Sequence, residues 1–105
     1  MLLLNAFSLN MLDLSSPYSL HICPLSLTEV RDLFLEGLES AVGHATTAAV
    51  LTSVLEVFVP CNRATVKLSS GASCVVAQFV GPRLPEGATT LPSGARIEFV
   101  LVTVS

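Results

Sequence analysis

Four short polar islands cut an otherwise apolar chain, and they fix where its regular elements must stop. They are Asn5-Ala6-Phe7-Ser8-Leu9-Asn10, Ala41-Val42-Gly43-His44, Cys61-Asn62-Arg63 and Pro82-Arg83-Leu84-Pro85-Glu86-Gly87. Charged residues make up only 12% of the sequence, and solubility alone would scatter them evenly. Their gathering at strand ends and at a helix start points to a shared site. The 51% apolar content and mean hydropathy of +0.73 are high for one small domain, residues 1–105. Such a chain either enters a membrane or buries a face against a partner. Pro, Gly, Asn or charge interrupts every apolar run before the roughly 20 residues a spanning helix needs. Met1-Leu2-Leu3-Leu4 has no basic flank and meets Asn5 at once, unlike a signal peptide. The expectation is a cytoplasmic oligomer without a membrane partner, a homodimer being the commonest form.

Hydrophobic periodicity orders the elements. Met1 to Phe7 reads as a buried strand and Tyr18 to Cys23 as a second. Ser26-Leu27-Thr28-Glu29 has the capping-box form that opens a helix, whose apolar positions Val30, Leu33, Phe34 and Leu38 run to Gly37. His44 to Leu55 reads as a second helix, with His44 in its first turn. Thr65 to Ser69 alternates in polarity and predicts a strand in a hairpin with Cys74 to Val80. A Pro- and Gly-rich loop from Gly81 to Gly94 precedes a last strand, Arg96 to Val104. The order ββααβββ implies an α/β fold, a mixed sheet flanked by helices.

Cys23, Cys61 and Cys74 are odd in number, widely spaced and set in apolar runs, which suits reduced core thiols. His21 and Cys23 alternate on one strand without any accompanying CxxC or HxxxH spacing, so packing is favoured over metal binding. No cofactor is expected. The net charge of −3 argues against long nucleic acid, which calls for a broad basic surface. A small anion needs only local positive charge, and Arg63, Lys67 and Arg83 are three of the five basic residues.

The islands hold an inventory for handling a phosphodiester. His44 exchanges protons near neutral pH, and a helix start places it beside free backbone N–H groups that attract phosphate. That position disfavours the imidazolium, so an acid there needs a compensating carboxylate or a bound phosphate; Glu86 is the candidate. His44 fits a plain capping role as well. Arg83 and Glu86, three apart, suit either a site or a solvated ion pair of under about 1 kcal/mol. Arg63, at the start of the expected strand, can fork onto a phosphate or merely guard a sheet edge. Asn5, Ser8 and Asn10 fit turn chemistry as readily as ligand binding.

In combination these residues carry a resemblance. Asn5-Ala6-Phe7-Ser8-x-Asn10-Met11-Leu12, Ala41-Val42-Gly43-His44-x-x-Thr47, Asn62-Arg63 before Val66-Lys67-Leu68, and Gln78 before Arg83-Leu84-Pro85-Glu86-Gly87 follow in order over most of the chain. The chain resembles the viral anti-CRISPR ring nucleases that degrade cyclic tetra-adenylate, a family with viral and cellular members. The resemblance implies a metal-independent nuclease, homodimeric, that destroys the second messenger of type III CRISPR defence, in the host cytoplasm if the gene is viral. It implies His44 as the catalytic acid, Arg83 and Glu86 completing the site, and Asn5, Ser8, Asn10, Arg63 and Gln78 binding the ligand. Alternatives are a protein that sequesters the nucleotide uncut and a structural dimerisation module. The presence of His44, Arg83 and Glu86 together favours cutting, since binding alone does not need a protonatable group.

Overall fold

Three successive leucines at the amino terminus, apolar on both sides, belong in the middle of a sheet, and they lie there. The computed structural model describes all 105 residues. Its strands are β1 (Leu2–Leu4), β2 (Leu20–Leu25), β3 (Glu39–Ser40), β4 (Ser73–Val80) and β5 (Arg96–Val104), and its helices α1 (Leu27–Leu35) and α2 (Ala45–Leu55). One mixed sheet runs in the order β2-β5-β4-β1-β3. β1 pairs in parallel with β3 and β4, while β5 is antiparallel to both β4 and β2. This is the α/β fold expected, with a mixed sheet and two helices packed on it.

Alternation along the strands splits the core in two. Leu3, Val75, Ala77 and Phe99 point to the helical face, against Val30, Leu38, Ala48, Leu51 and Leu55. Leu4, Cys74, Val76, Val102 and Val104 point to the other face, against Leu12 and Leu68. Each fully buried Leu or Val contributes about 1.5–3 kcal/mol. The capping box forms as the sequence indicates: Ser26 Oγ accepts from Glu29 N–H at 3.1 Å, and Glu29 Oε1 accepts from Ser26 N–H at 2.9 Å. Arg31 fastens the helices together, its Nε donating to the Leu55 carbonyl at 2.7 Å and so satisfying an end carbonyl of α2.

Several expectations are corrected. Thr65 to Ser69 is not a strand, and there is no hairpin with β4, whose two neighbours are β1 and β5. The alternation there arises because Val66 and Leu68 pack flat on the helix-free face of the sheet, Leu68 N–H donating to the Met11 carbonyl at 2.7 Å. Sheet and strap both bury every second residue, so their patterns coincide. β1 is shorter than residues 1–7, because the chain turns at Asn5 toward a single 3₁₀ turn at Leu9–Met11. β3, two residues long, separates the helices, so the order is ββαβαββ. It is a strand only because Glu39 N–H and Ala41 N–H donate to the Met1 and Leu3 carbonyls. The thiols differ too: Cys74 is buried, but Cys23 and Cys61 are exposed, one on the edge strand β2 and the other on a surface segment.

Candidate functional site

Because β1, β3 and β4 are mutually parallel, their carboxyl ends open on one edge of the sheet. In open α/β sheets that edge is where ligands bind. Each strand delivers a polar island there: β1 runs into Asn5, β3 into Ala41-Val42-Gly43-His44, and β4 into Gly81-Pro82-Arg83.

Hydrogen bonds then draw distant segments together. His44 is the N-cap of α2, one position earlier than expected; its carbonyl accepts from Ala48 N–H, while its side chain makes no capping bond. The imidazole is exposed and not spent on the helix, so the plain capping role is not realised. Gly43 O accepts from Arg63 Nε at 3.3 Å, which seats the guanidinium beside the histidine's backbone. Arg63 is therefore held by a loop carbonyl, and no strand begins after it. Asn62 secures the same strap, its N–H donating to Val42 O and its Nδ2 to Ser40 O, both at 2.8 Å. From the other side, Gly87 N–H donates to Thr46 Oγ1 at 3.2 Å, fixing the Arg83–Gly87 loop to the first turn of α2. The chain's two ion pairs, Arg31–Glu56 and Arg96–Glu98, involve neither Arg83 nor Glu86, so the solvated pair that their spacing permits does not form.

A second group lies on the helix-free face. Ser8 Oγ caps the 3₁₀ turn by accepting from Asn10 N–H at 3.3 Å, and Asn10 O accepts from Lys67 Nζ at 2.8 Å. Gln78, opposite Glu98 on β5, shares an apolar groove of about 260 Å3 with Phe7, Ile22, Val76 and Val100. Two separate hydrogen bonds, at Gly43 and at Thr46, thus tether the Arg63 strap and the Glu86 loop on either side of His44. Ser8, Asn10 and Gln78 sit along the face that the Asn5 turn leads onto. The largest concavity, about 840 Å3, lies between the 3₁₀ turn and residues 67–69; it includes Asn10 and Lys67 but none of His44, Arg83 and Glu86. The polar strand-end segments are instead drawn together around His44 by the bonds at Gly43 and Thr46. At its rim the Asp13 carboxyl is held below its ordinary value near 3.8, first by the hydroxyl and then by the amide of Ser15, with a smaller contribution from Lys67.

No three of the histidine, cysteine, aspartate and glutamate side chains converge in a group able to hold a metal ion. No helix is long and apolar enough to cross a membrane. Two residues that sequence reasoning missed fasten the site, Ser40 and Thr46. Neither belongs to a local motif that would mark its hydroxyl as a tether, and their partners are distant in the sequence.

Parallel strands delivering loops to one edge, with helices on one face only, define a small α/β protein with a loop-built polar site. The chain belongs to the STIV B116-like family, whose sequence pattern matches residues 1–95. Among solved structures it is similar to B116 of Sulfolobus turreted icosahedral virus (STIV), at 27% identity and a TM-score of 0.75, with 97% of each chain covered. No curated protein matches it.

Proposed function

We propose that the protein is a ring nuclease, a metal-independent phosphodiesterase that cleaves cyclic tetra-adenylate to linear di-adenylate ending in a 2′,3′-cyclic phosphate, and so antagonises type III CRISPR signalling. The observation that carries this reading is the pair of hydrogen bonds, Arg63 Nε to Gly43 O and Gly87 N–H to Thr46 Oγ1, that flank His44 with an arginine strap and the Arg83–Glu86 loop. Membership of a viral protein family accords with such a role.

The chemistry asks little of the protein. A ribose 2′-hydroxyl gives up its proton to solvent water as its oxygen attacks the adjacent phosphorus, the P–O5′ bond breaks, and the departing 5′-oxygen takes up a proton. Arg83 and the free N–H groups opening α2 stabilise charge on the phosphorane oxygens, while Arg63 holds and aligns the ligand. His44 supplies the proton, and Glu86 steadies the imidazolium before transfer. Two such cuts on opposite sides of the ring give two di-adenylates. Asn5, Ser8, Asn10 and Gln78 are assigned to holding the ligand.

A homodimer completes the proposal. β2 is an edge strand exposed on both faces, with Ile22 at 59% exposure, and it borders the helix-free groove that holds Gln78. Exposed apolar side chains beside that groove offer a face for a second copy. Two-fold pairing doubles the local arginines and lets a protein of net charge −3 accept a polyanion of matching symmetry.

The test is incubation with cyclic tetra-adenylate, with and without EDTA, the products being resolved by chromatography. Di-adenylate with a 2′,3′-cyclic phosphate is expected in both. Intact ring recovered from a tight complex would favour sequestration, and activity lost in EDTA would refute the mechanism.

A further inference from the structure

Two polar side chains in the whole chain are buried, Ser40 and Thr46, each 6% exposed. A buried hydroxyl must find partners or cost about 1–3 kcal/mol, so each such group invites the question of what it holds. Thr46 Oγ1 accepts the Gly87 amide, a bond spanning 41 positions. Apart from it, the hydrogen bonds of residues 82–95 stay inside the loop, from Ala88 N–H to Pro85 O and from Ala95 N–H to Pro92 O. Thr46 therefore makes the one hydrogen bond tying that loop to the body. Ser40 Oγ donates to Pro60 O at 2.7 Å and accepts from Val42 N–H at 3.2 Å. It clamps the segment leading into Arg63 to the one leading into His44. Neither hydroxyl is needed by the sheet or the helices.

We infer that Ser40 and Thr46 are positioning residues, Thr46 setting the Arg83–Glu86 loop against His44 and Ser40 setting the Arg63 strap; the assignment of what they position rests on the ring-nuclease reading. The two act on different halves of the reaction. Loosening Thr46 misplaces the loop that assists proton transfer, and displacement of about 1 Å in a catalytic group costs up to about 100-fold. Loosening Ser40 misplaces a guanidinium assigned to binding. A general loss of fold stability cannot separate these effects, because it lowers the active fraction alike in both variants.

The experiment compares Thr46→Val, Thr46→Ser and Ser40→Ala. Single-turnover cleavage of cyclic tetra-adenylate at saturation is measured, with ligand Kd taken in a His44→Ala background. Thr46→Val is expected to lower the saturated rate by about tenfold and to raise Kd by a smaller factor, since the same loop carries Arg83; Thr46→Ser restores the rate because it keeps the acceptor oxygen. Ser40→Ala is expected to raise Kd by about tenfold, more than it lowers the rate. Rate and Kd moving together by the same factor in all three variants would overturn the assignment. Amide hydrogen exchange at Gly87 in the free protein keeps this distinct from the functional reading: Thr46→Val should speed exchange and Thr46→Ser should not. If the wild-type protein leaves cyclic tetra-adenylate intact, the ring-nuclease reading falls while the exchange data still judge the loop anchor. If Gly87 exchanges equally in all variants, the anchor itself is refuted.

Discussion

Replacing Gly81 by alanine tests how the site-bearing loop is closed at its base. Gly81 follows β4 directly, at φ +138, and an added Cβ would sit 2.8 Å from Ala95 Cα and 3.0 Å from Ala95 Cβ. The neighbour is backbone beside the first residue of β5, so it cannot swing aside as a flexible side chain does. The backbone conformation alone costs an alanine about 1–3 kcal/mol, and forcing the neck apart adds about 1–3 kcal/mol more. A loss of about 3 kcal/mol is a large part of the 5–15 kcal/mol that holds a small domain folded. It corresponds to a Tm about 12–20 °C lower for a chain of this size. Gly94 is the internal control: it has φ +83 but nothing within 4 Å of its added Cβ. Gly94→Ala should therefore cost only the conformational part, about 1–2 kcal/mol. The assay is urea unfolding of both variants with m-values compared, alongside cleavage by the refolded proteins. Equal destabilisation of the two would refute the claim that contact at the neck governs the loop.

Three more outcomes are expected. His44→Ala lowers single-turnover cleavage by about 10²- to 10⁴-fold with binding largely retained, while Arg83→Ala weakens both; unchanged cleavage in either removes that residue from the mechanism. With a thiol reagent on the native protein, Cys23 and Cys61 react and Cys74 does not, because burial raises its thiol above the ordinary value near 9.0 and denies access; rapid labelling of all three would contradict the packing of β4. Bonds from the backbone and then the side chain of Ser26 hold Glu29 below its ordinary value near 4.5, so its stabilising effect is present above the unfolded value and is lost as pH falls through the lower folded one. Glu29→Gln should flatten the acid limb of the stability curve, and an unaltered limb measured by thermal melts from pH 6 to 3 would count against the capping box.

Much of the fold was legible where local chemistry decides it. Ser26 and Glu29 announce a helix start because two side chains answer two free N–H groups, and β5 follows from nine residues of strand-forming character. β3 was invisible because nothing in Glu39-Ser40 prefers a strand; β1 alongside makes it one. Thr65 to Ser69 misled for the opposite reason, since a strap lying on a sheet shows the same alternation as a strand within it. Cys23 misled because its apolar neighbours form an open sheet edge, and Cys61 because its segment runs over the surface. In the site, the islands locate His44 at the start of α2 and the Arg83–Glu86 loop after β4, whereas Arg63 lies on a surface strap and not at the entry to a strand. What joins them, the buried hydroxyls of Ser40 and Thr46, depends on contacts 20 and 41 positions away that no local pattern encodes.

The placing of the first strand has a consequence for how the chain is made. Leu4 meets Val76 only after 72 further residues have been added, which at about 5–20 residues per second means a delay of several seconds on the ribosome. Throughout that interval the nascent Leu2-Leu3-Leu4 segment has only Glu39–Ser40 as a strand partner, although Val30, Leu38 and Leu51 are made well before β4 and are able to cover Leu3. The carboxyl-terminal half must act as the template on which the beginning of the molecule settles, so a late truncation would cost the newborn protein its middle rather than its end.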